Sequence, residues 1–381
     1  LGFEAYLVGG SVPAPLTDIE PKDCDVPERA KPEEIIKIFE KTVYENDFGT
    51  VAVIQEGVSQ ETFKQIEITP YRIEAKYSDF RHPNEVKFSD NLEDDLKRRD
   101  FTMNALALNN KGHVFDLFNG LKDIENKTIK TVGDANERFN EDALRILRAI
   151  RFSVQLNFSI SHETTESILK NSMLIKHISE ERIRDEFSKI IMSKNPSIGL
   201  GMLEKFGLLQ YIIPELEEGI GCDQLGEHIF DVWEHLLHAL QHGADKNWPL
   251  EIRLAALFHD IGKPKTRRYD ATKAGGKGKY TFYGHEVVGA RMAKKIMERL
   301  KFSIKEIELV EKLVRNHMFF SDTEKITLSA VRRIIQKVGK ENIWILMNIR
   351  ECDRVGMKKK EAPYRLRKYF AMIVKELHNP I

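Results

Sequence analysis

The chain has 381 residues, of which 41% are hydrophobic and 31% charged, and its 59 basic and 59 acidic side chains leave no net charge. That length exceeds the roughly 250–300 residues one core supports, so two or more domains are expected, and the composition excludes a disordered chain. The balanced charge argues against nucleic-acid binding driven by the field of the whole protein.

No apolar run reaches the roughly 20 residues of a membrane span. The opening Leu1-Gly2-Phe3-Glu4 lacks the basic-then-apolar plan of a secretory signal, so a cytoplasmic protein with no membrane partner is expected. Cys24, Cys222 and Cys352 show no paired spacing and support neither a disulfide framework nor a zinc knuckle.

In chain order, Ala5–Val8, Thr50–Ile54, Gln65–Thr69 and Ala105–Leu108 read as strands, and Pro32–Lys41 reads as a helix opening on its proline. This is a mixed α/β domain around one sheet. Beyond Asp134 apolar residues recur three or four apart, predicting helices over Glu141–Gln155, His162–Asn171, Ser179–Met192 and Pro196–Phe206, with almost no strand signal afterwards. Gly219-Ile220-Gly221 breaks the helical pattern, and Asp270–Lys279 reads as a polar loop. The ending Lys375–Ile381, with Pro380 after a helix, fits a natural stop and a shortened tail alike. Local basic surfaces occur at Arg145–Arg151, Lys263–Lys279 and Lys358–Lys368, each of which taken singly is a solvated face.

The chemistry begins where the strand Tyr6-Leu7-Val8 runs into Gly9-Gly10-Ser11. Adjacent glycines let backbone N–H groups approach phosphate oxygens, which makes a phosphate seat. Asp23 and Asp25, one residue apart on a strand, point to the same side and can hold a pair of Mg²⁺ ions on a nucleoside triphosphate. Glu67, mid-strand among apolar neighbours, is the candidate third carboxylate. In Arg98-Arg99-Asp100-Phe101-Thr102-Met103-Asn104, Arg98 alone fits a charged loop, whereas Arg99, Asp100 and Asn104 together form a ribose and phosphate grip. Asp142, Arg145 and Arg148 follow at intervals of three on a predicted helix. There they offer acceptors and donors to the edge of a base, or form a surface salt-bridge ladder.

Together with Asp116, Gly120 and Asp123, these motifs in this order resemble the class II tRNA nucleotidyltransferase and bacterial poly(A) polymerase family. The resemblance implies an α/β nucleotidyltransferase head over 1–133, a helical neck over 134–193, a helical body over 194–226, and an HD-type helical domain with a tRNA-binding tail over 227–381. It further implies Asp23 and Asp25 as metal ligands, Arg99 and Asp100 on the incoming nucleotide's sugar and phosphates, and Asp142 with Arg145 as the protein template choosing C or A. Ser179-Glu180-Glu181-Arg182 with Glu186 is similar to the family's last motif. Tyr77–Pro83 is similar to the flexible loop needed to add the final adenosine. The chain departs from the family at Pro13-Ala14-Pro15, where an Arg-Asp pair is expected, and at Pro27-Glu28-Arg29.

His235, the doublet His259-Asp260 set in an apolar helix, and Asp353 resemble the four ligands of an HD-type phosphohydrolase domain, and His285 and His317 can supply a second metal. Two readings follow. A divalent transition metal there hydrolyses phosphoesters such as 2′,3′-cyclic phosphates, or the helices are a tRNA-binding scaffold with idle ligands. The implied activity is CCA addition to the tRNA acceptor arm from CTP and ATP, with a poly(A) or A-adding polymerase and an HD phosphohydrolase as alternatives.

Overall fold

The computed structural model describes residues 5–9, 12, 25–44, 49–58, 64–77, 83–224, 229–273, 278–319, 326–358 and 364–378; at 25, 28, 73–77, 83–87 and 364–366 only the backbone is described. The chain forms two compact units, Leu1–Ile178 and Ser179–Ile381.

The first unit is built on a mixed seven-stranded sheet. Its strands are β1 (Tyr6–Val8), β2 (Asp25–Glu28), β3 (Thr42–Tyr44), β4 (Val51–Ile54), β5 (Gln65–Pro70), β8 (Leu106–Asn109) and β9 (Val114–Asp116), in the order β3-β4-β5-β2-β1-β8-β9. β2 and β5 run parallel and the other neighbours antiparallel. β6 (Arg72–Tyr77) and β7 (Pro83–Phe88) form a separate hairpin. The β-branched run Val51–Ile54 suits a pleated, packed surface, and the unit has two buried clusters. One comprises Ala30, Ile35, Val51, Val53 and Ile68, and the other Tyr6, Val8, Tyr71, Leu96, Ala105, Ala107 and Val132.

The helix predicted over 32–41 is α1 (Pro32–Ile38); Phe39 turns extended (φ −112°, ψ 136°), and the chain passes into edge strand β3. After α2 (Leu92–Lys97) and β9, α3 (Gly120–Glu125) opens on a glycine whose added Cβ would lie 2.2 Å from the Thr102 carbonyl oxygen. Asp116 accepts from the Gly120 and Leu121 N–H groups at 2.8 and 3.0 Å, and Thr102 Oγ1 donates to Asp123 at 2.6 Å. The Asp116, Gly120 and Asp123 set thus locks α3 against the segment after Arg99.

The helix predicted over 141–155 begins three residues later, as α5 (Leu144–Leu156), and a separate helix, α4 (Ala135–Glu141), precedes it. Asp142 is extended between them (φ −142°, ψ 103°), and its carboxylate takes the Leu144 N–H at 3.1 Å. This is the local side-chain bond by which Asp competes with helix. Two-residue strands β10 (Thr128–Ile129) and β11 (Ser159–Ile160) pair in parallel, and α6 (His162–Asn171) follows the predicted range, with Ser161 capping Thr164 N–H.

The second unit is helical. It comprises α7 (Glu180–Ile191), α8 (Pro196–Lys205), α9 (Leu209–Ile212), α10 (Pro214–Glu217), α11 (Val232–Asp245), α12 (Leu250–Phe258), α13 (Lys263–Thr266), α14 (His285–Arg299), α15 (Ile304–Asn316), α16 (Leu328–Val338), α17 (Ile343–Gly356) and α18 (Tyr364–His378). The loop predicted over 270–279 lies between the strands of a hairpin, β12 (Arg268–Asp270) and β13 (Lys279–Thr281), with Tyr269 opposite Tyr280. Among the described residues no helix is long and apolar enough to cross a membrane.

Candidate functional sites in the two units

In the first unit, β1 ends at Val8 and runs into Gly9, whose φ of 66° favours glycine. Gly10, Ser11, Asp23, Pro13-Ala14-Pro15 and the loop over 78–82 lie outside the described residues. Asp25 begins β2, as register partner of Val8 on one side and of Glu67 on the other. Adjacent strands lie about 4.8 Å apart, so the sheet sets the Gly9 turn, Asp25 and the half-buried Glu67 on three neighbouring strands.

The segment after α2 is pinned from both sides. Arg98 and Arg99 both bond Asp95, which is fully buried, at 2.7 and 3.0 Å. Burial alone would raise the Asp95 carboxyl, but the two guanidinium charges outweigh it and lower it. Asp100 takes Phe101 N–H at 2.8 Å, Asn104 Nδ2 at 3.0 Å and Arg148 Nε at 2.7 Å. Burial opposes its ionisation, yet the Arg148 charge, the Asn104 amide and Arg145 bring its carboxyl down to about 2. Arg145 bonds Glu141 at 2.6 Å and the Arg98 and Arg138 carbonyls at 2.8 and 3.2 Å.

Asp100, Asn104, Arg145 and Arg148 therefore form one bracket that ties the 98–104 segment to α5. Asp142 stands at the α4–α5 break rather than on the face of α5 shared by Arg145 and Arg148. The bracket's anchor Asp95 was not foreseen; its signal is an acid three and four residues before two arginines.

Arg148→Ala is expected to cost about 3 kcal/mol at pH 7 in urea unfolding, because it strands a buried carboxylate. The folded Asp100 carboxyl lies below its ordinary value of about 3.9. Its contribution is therefore complete above about pH 4 and disappears as pH falls toward 2. The variant should show a smaller acid dependence, since Asn104 and Arg145 still favour the ionised carboxylate. An unfolding midpoint unchanged at both pH 7 and pH 3 would contradict this reading of the bracket.

In the second unit six predicted residues converge from five places. His235 comes from α11, His259 and Asp260 from the turn after α12, His285 from the start of α14, His317 from the end of α15, and Asp353 from α17. The doublet expected inside a helix sits just past its end. Gly262 makes that turn fit, since a Cβ there would lie 2.4 Å from the His285 carbonyl oxygen; one on Gly356 would lie 2.8 Å from His235 Nδ1.

His235 Nε2 and His259 Nε2 are 3.0 Å apart and lie 3.2 and 3.3 Å from Asp260 Oδ2. Asp353 Oδ1 lies 3.5 and 3.8 Å from the same nitrogens. The other oxygen of Asp260, Oδ1, lies 3.2 Å from His285 Nε2 and 3.6 Å from His317 Nε2. All six residues are buried. Ligand atoms within each group, His235/His259/Asp260/Asp353 and Asp260/His285/His317, lie within 4.8 Å of one another.

Nδ1 of His259, His285 and His317 meets a backbone carbonyl at 2.8, 2.7 and 2.7 Å. This is the outer bond that aims Nε2 at a metal. The geometry fits one divalent ion in each group, with Asp260 shared, and the imidazole-rich donors suit a transition metal.

Burial favours neutral His259, but Asp260 and Asp353 outweigh it and push its imidazole up to about 10. Burial lowers His317, keeping it neutral as a ligand must be. Against the opposing effect of burial, Lys263 and His259 hold Asp260 well below the usual carboxylate range, and His259 and Arg350 do the same for Asp353. Two neighbours of this cluster were missed. Lys263 lies 2.5 Å from Asp260 and donates to Gln224 at 2.6 Å, and Arg350 donates to Asp353 at 2.5 Å. Each stands three residues from its aspartate, a spacing that in sequence resembles any surface pair.

Compared with known families, residues 5–130 match the poly A polymerase head domain, 157–220 the probable RNA and SrmB-binding site of polymerase A, and 225–363 the HD domain. The chain is 48% identical over 200 residues to the CCA-adding enzyme of Ligilactobacillus salivarius (strain UCC118), covering 52% of this chain and 48% of that protein. It is 44% identical over 225 residues to that of Enterococcus faecalis (strain ATCC 700802 / V583), covering 59% and 54%. These matches span about half the length of the relatives. The crystal structure of the Bacillus stearothermophilus CCA-adding enzyme in complex with CTP superposes with a TM-score of 0.68 at 25% identity, over 100% of this chain and 85% of that one. The motifs, the mixed sheet and three domain matches in succession make the chain similar, from its head domain to its HD domain, to the class II tRNA nucleotidyltransferase and poly(A) polymerase family.

Proposed function

We propose that this chain is a tRNA nucleotidyltransferase that completes the 3′ end with C, C and A, using CTP and ATP and no nucleic-acid template. The observation that carries this reading is the register that sets Asp25 between the end of β1 and Glu67. Asp23 and Asp25 would hold Mg²⁺, with Glu67 beside them. The metal would supply charge neutralisation of the triphosphate and a more acidic 3′-hydroxyl. Gly9, Gly10 and Ser11 seat the phosphates, the segment with Arg99, Asp100 and Asn104 positions the sugar, and Asp142 with Arg145 chooses the base.

On this reading the functional division is a head over 1–133, a neck over 134–193, a body over 194–226, and an HD-type domain with tail over 227–381. The names of the relatives, CCA-adding enzymes, support this activity over poly(A) synthesis. The test is incubation with tRNA lacking CCA and each labelled nucleotide. Incorporation of both C and A is expected; A alone would make it an A-adding or poly(A) enzyme, and neither would refute the assignment.

A second reading rests on a separate observation, the convergence of six buried ligands in the HD domain. We propose that they hold two transition-metal ions and hydrolyse phosphoesters. A bound metal would supply hydroxide at neutral pH; the chain's own part is to orient the ligands and place Lys263 and Arg350 next to the phosphate.

A further inference from the structure

Asp95 is buried in the last turn of α2, and both of its oxygens are spent on the arginines that follow it. Arg98 Nε and Nη2 lie 2.9 and 2.7 Å from Oδ1, and Arg99 Nε and Nη2 lie 3.3 and 3.0 Å from Oδ2. One carboxylate thus holds two guanidinium groups by the same edge and neutralises only one of their charges. The remaining positive charge sits in a half-buried place, where it is screened less than in open water. Among the described residues Asp95 is the only acceptor of the Arg99 side chain, which leaves the Nη1 edge of its planar fork to a further acceptor. That side chain is 15% exposed, so it is held without being sealed off.

The mount itself is fixed. Asn91 takes the Glu93 N–H at the start of α2, and Ser89 Oγ donates to Asp94 at 2.6 Å. Leu96 is buried in the cluster with Tyr6 and Val8 of β1, and the helix packs against β2, the strand that Asp25 opens. Asp95 therefore ties two arginines to the strands around the proposed metal site. The same clamp reaches α5, because the Arg98 carbonyl accepts from Arg145 Nη2 at 2.8 Å. Where Asp95 sets Arg98, it sets a support of the arginine assigned to the base.

We propose that Asp95 is a positioning residue for nucleotide addition, presenting Arg99 to the phosphates of the incoming nucleotide and fixing the Arg98 carbonyl that Arg145 bonds. This role rests on the assignment above of Arg99 and Arg145 to the nucleotide. Asp95 needs no contact with substrate and acts through the arginines.

The test is steady-state addition of C by the full chain to a tRNA lacking CCA, with wild type, Asp95→Asn, Arg99→Ala and the double variant. Asp95→Asn keeps the shape of the side chain and removes its charge. Asp95→Ser takes its place if circular dichroism shows that the Asn variant does not fold. Each single variant should raise the KM for CTP about tenfold, since a misplaced contact is costly, and leave the KM for tRNA within about twofold. The double variant should lie within about threefold of Arg99→Ala, because Asp95 has then lost the group it presents. Use of UTP in place of CTP should rise about tenfold in Asp95→Asn, through Arg145, and change less than about twofold in Arg99→Ala.

A folded Asp95→Asn chain with wild-type KM for CTP or wild-type selectivity against UTP would overturn the role. So would a double variant whose loss is the product of the two single losses, the mark of a general structural effect. A wild-type chain that adds no C refutes the underlying reading and this role with it. A raised KM in Arg99→Ala with none in Asp95→Asn refutes this role alone.

Discussion

If Asp25 holds a metal as proposed, Asp25→Ala is expected to lower nucleotide addition by at least about a thousandfold, because the triphosphate would then lose that charge neutralisation. The effect should fall on the chemistry rather than on the fold. Asp25 opens β2, and its backbone partners in register, Val8 and Glu67, do not depend on its side chain. The HD ligands belong to the other unit. Single-turnover addition of C to a tRNA lacking CCA, read beside circular dichroism and HD metal content, separates these effects. Activity within tenfold of wild type in a folded variant would remove Asp25 from the metal site.

The second large effect is expected at Asp260. Its two oxygens face different histidine pairs, Oδ2 toward His235 and His259 and Oδ1 toward His285 and His317. Loss of this one residue should therefore weaken both metal positions, whereas His317→Ala should weaken only one. Removing an outer-shell partner costs 10–100-fold in metal affinity, so loss of a ligand shared by two ions should exceed about a hundredfold at each. Metal analysis after dialysis against Mn²⁺ should find two more ions per chain in wild type than in Asp260→Ala, and one more in wild type than in His317→Ala. Nucleotide addition should stay within about twofold, since the head's ligands are untouched. A metal content in Asp260→Ala equal to wild type would refute a shared ligand.

How much of this was legible in the sequence depended on whether a signal was local. The strand over 51–54 announces itself by Val-Ala-Val-Ile, and α6 by Ser161 at its N-cap followed by apolar spacing. Strand β2 is obscured by Pro27, a residue that argues against a ladder. The break at Asp142 is hidden because the apolar periodicity runs straight through it, whereas in the fold its carboxylate takes the Leu144 N–H where the helix is interrupted.

The HD ligands stood out because His259-Asp260 interrupts an otherwise apolar run, where unpartnered polar groups are costly. Their convergence follows from glycines at 262 and 356 that permit close approach, which no spacing rule reports. Asp100 and Arg148 were both singled out, yet their bond spans 48 positions, so its existence emerged only from the fold. Read locally, they were separate contacts to a nucleotide; in the structure they fasten one segment to another.

The central claim is that this chain finishes tRNA 3′ ends, and the sequence of the product tests it most directly. Purified chain, a tRNA ending one residue before CCA, and CTP with ATP should yield, by mass spectrometry, a product extended by C, C and A that grows no further. A run of A residues, or no extension at all, would contradict the account.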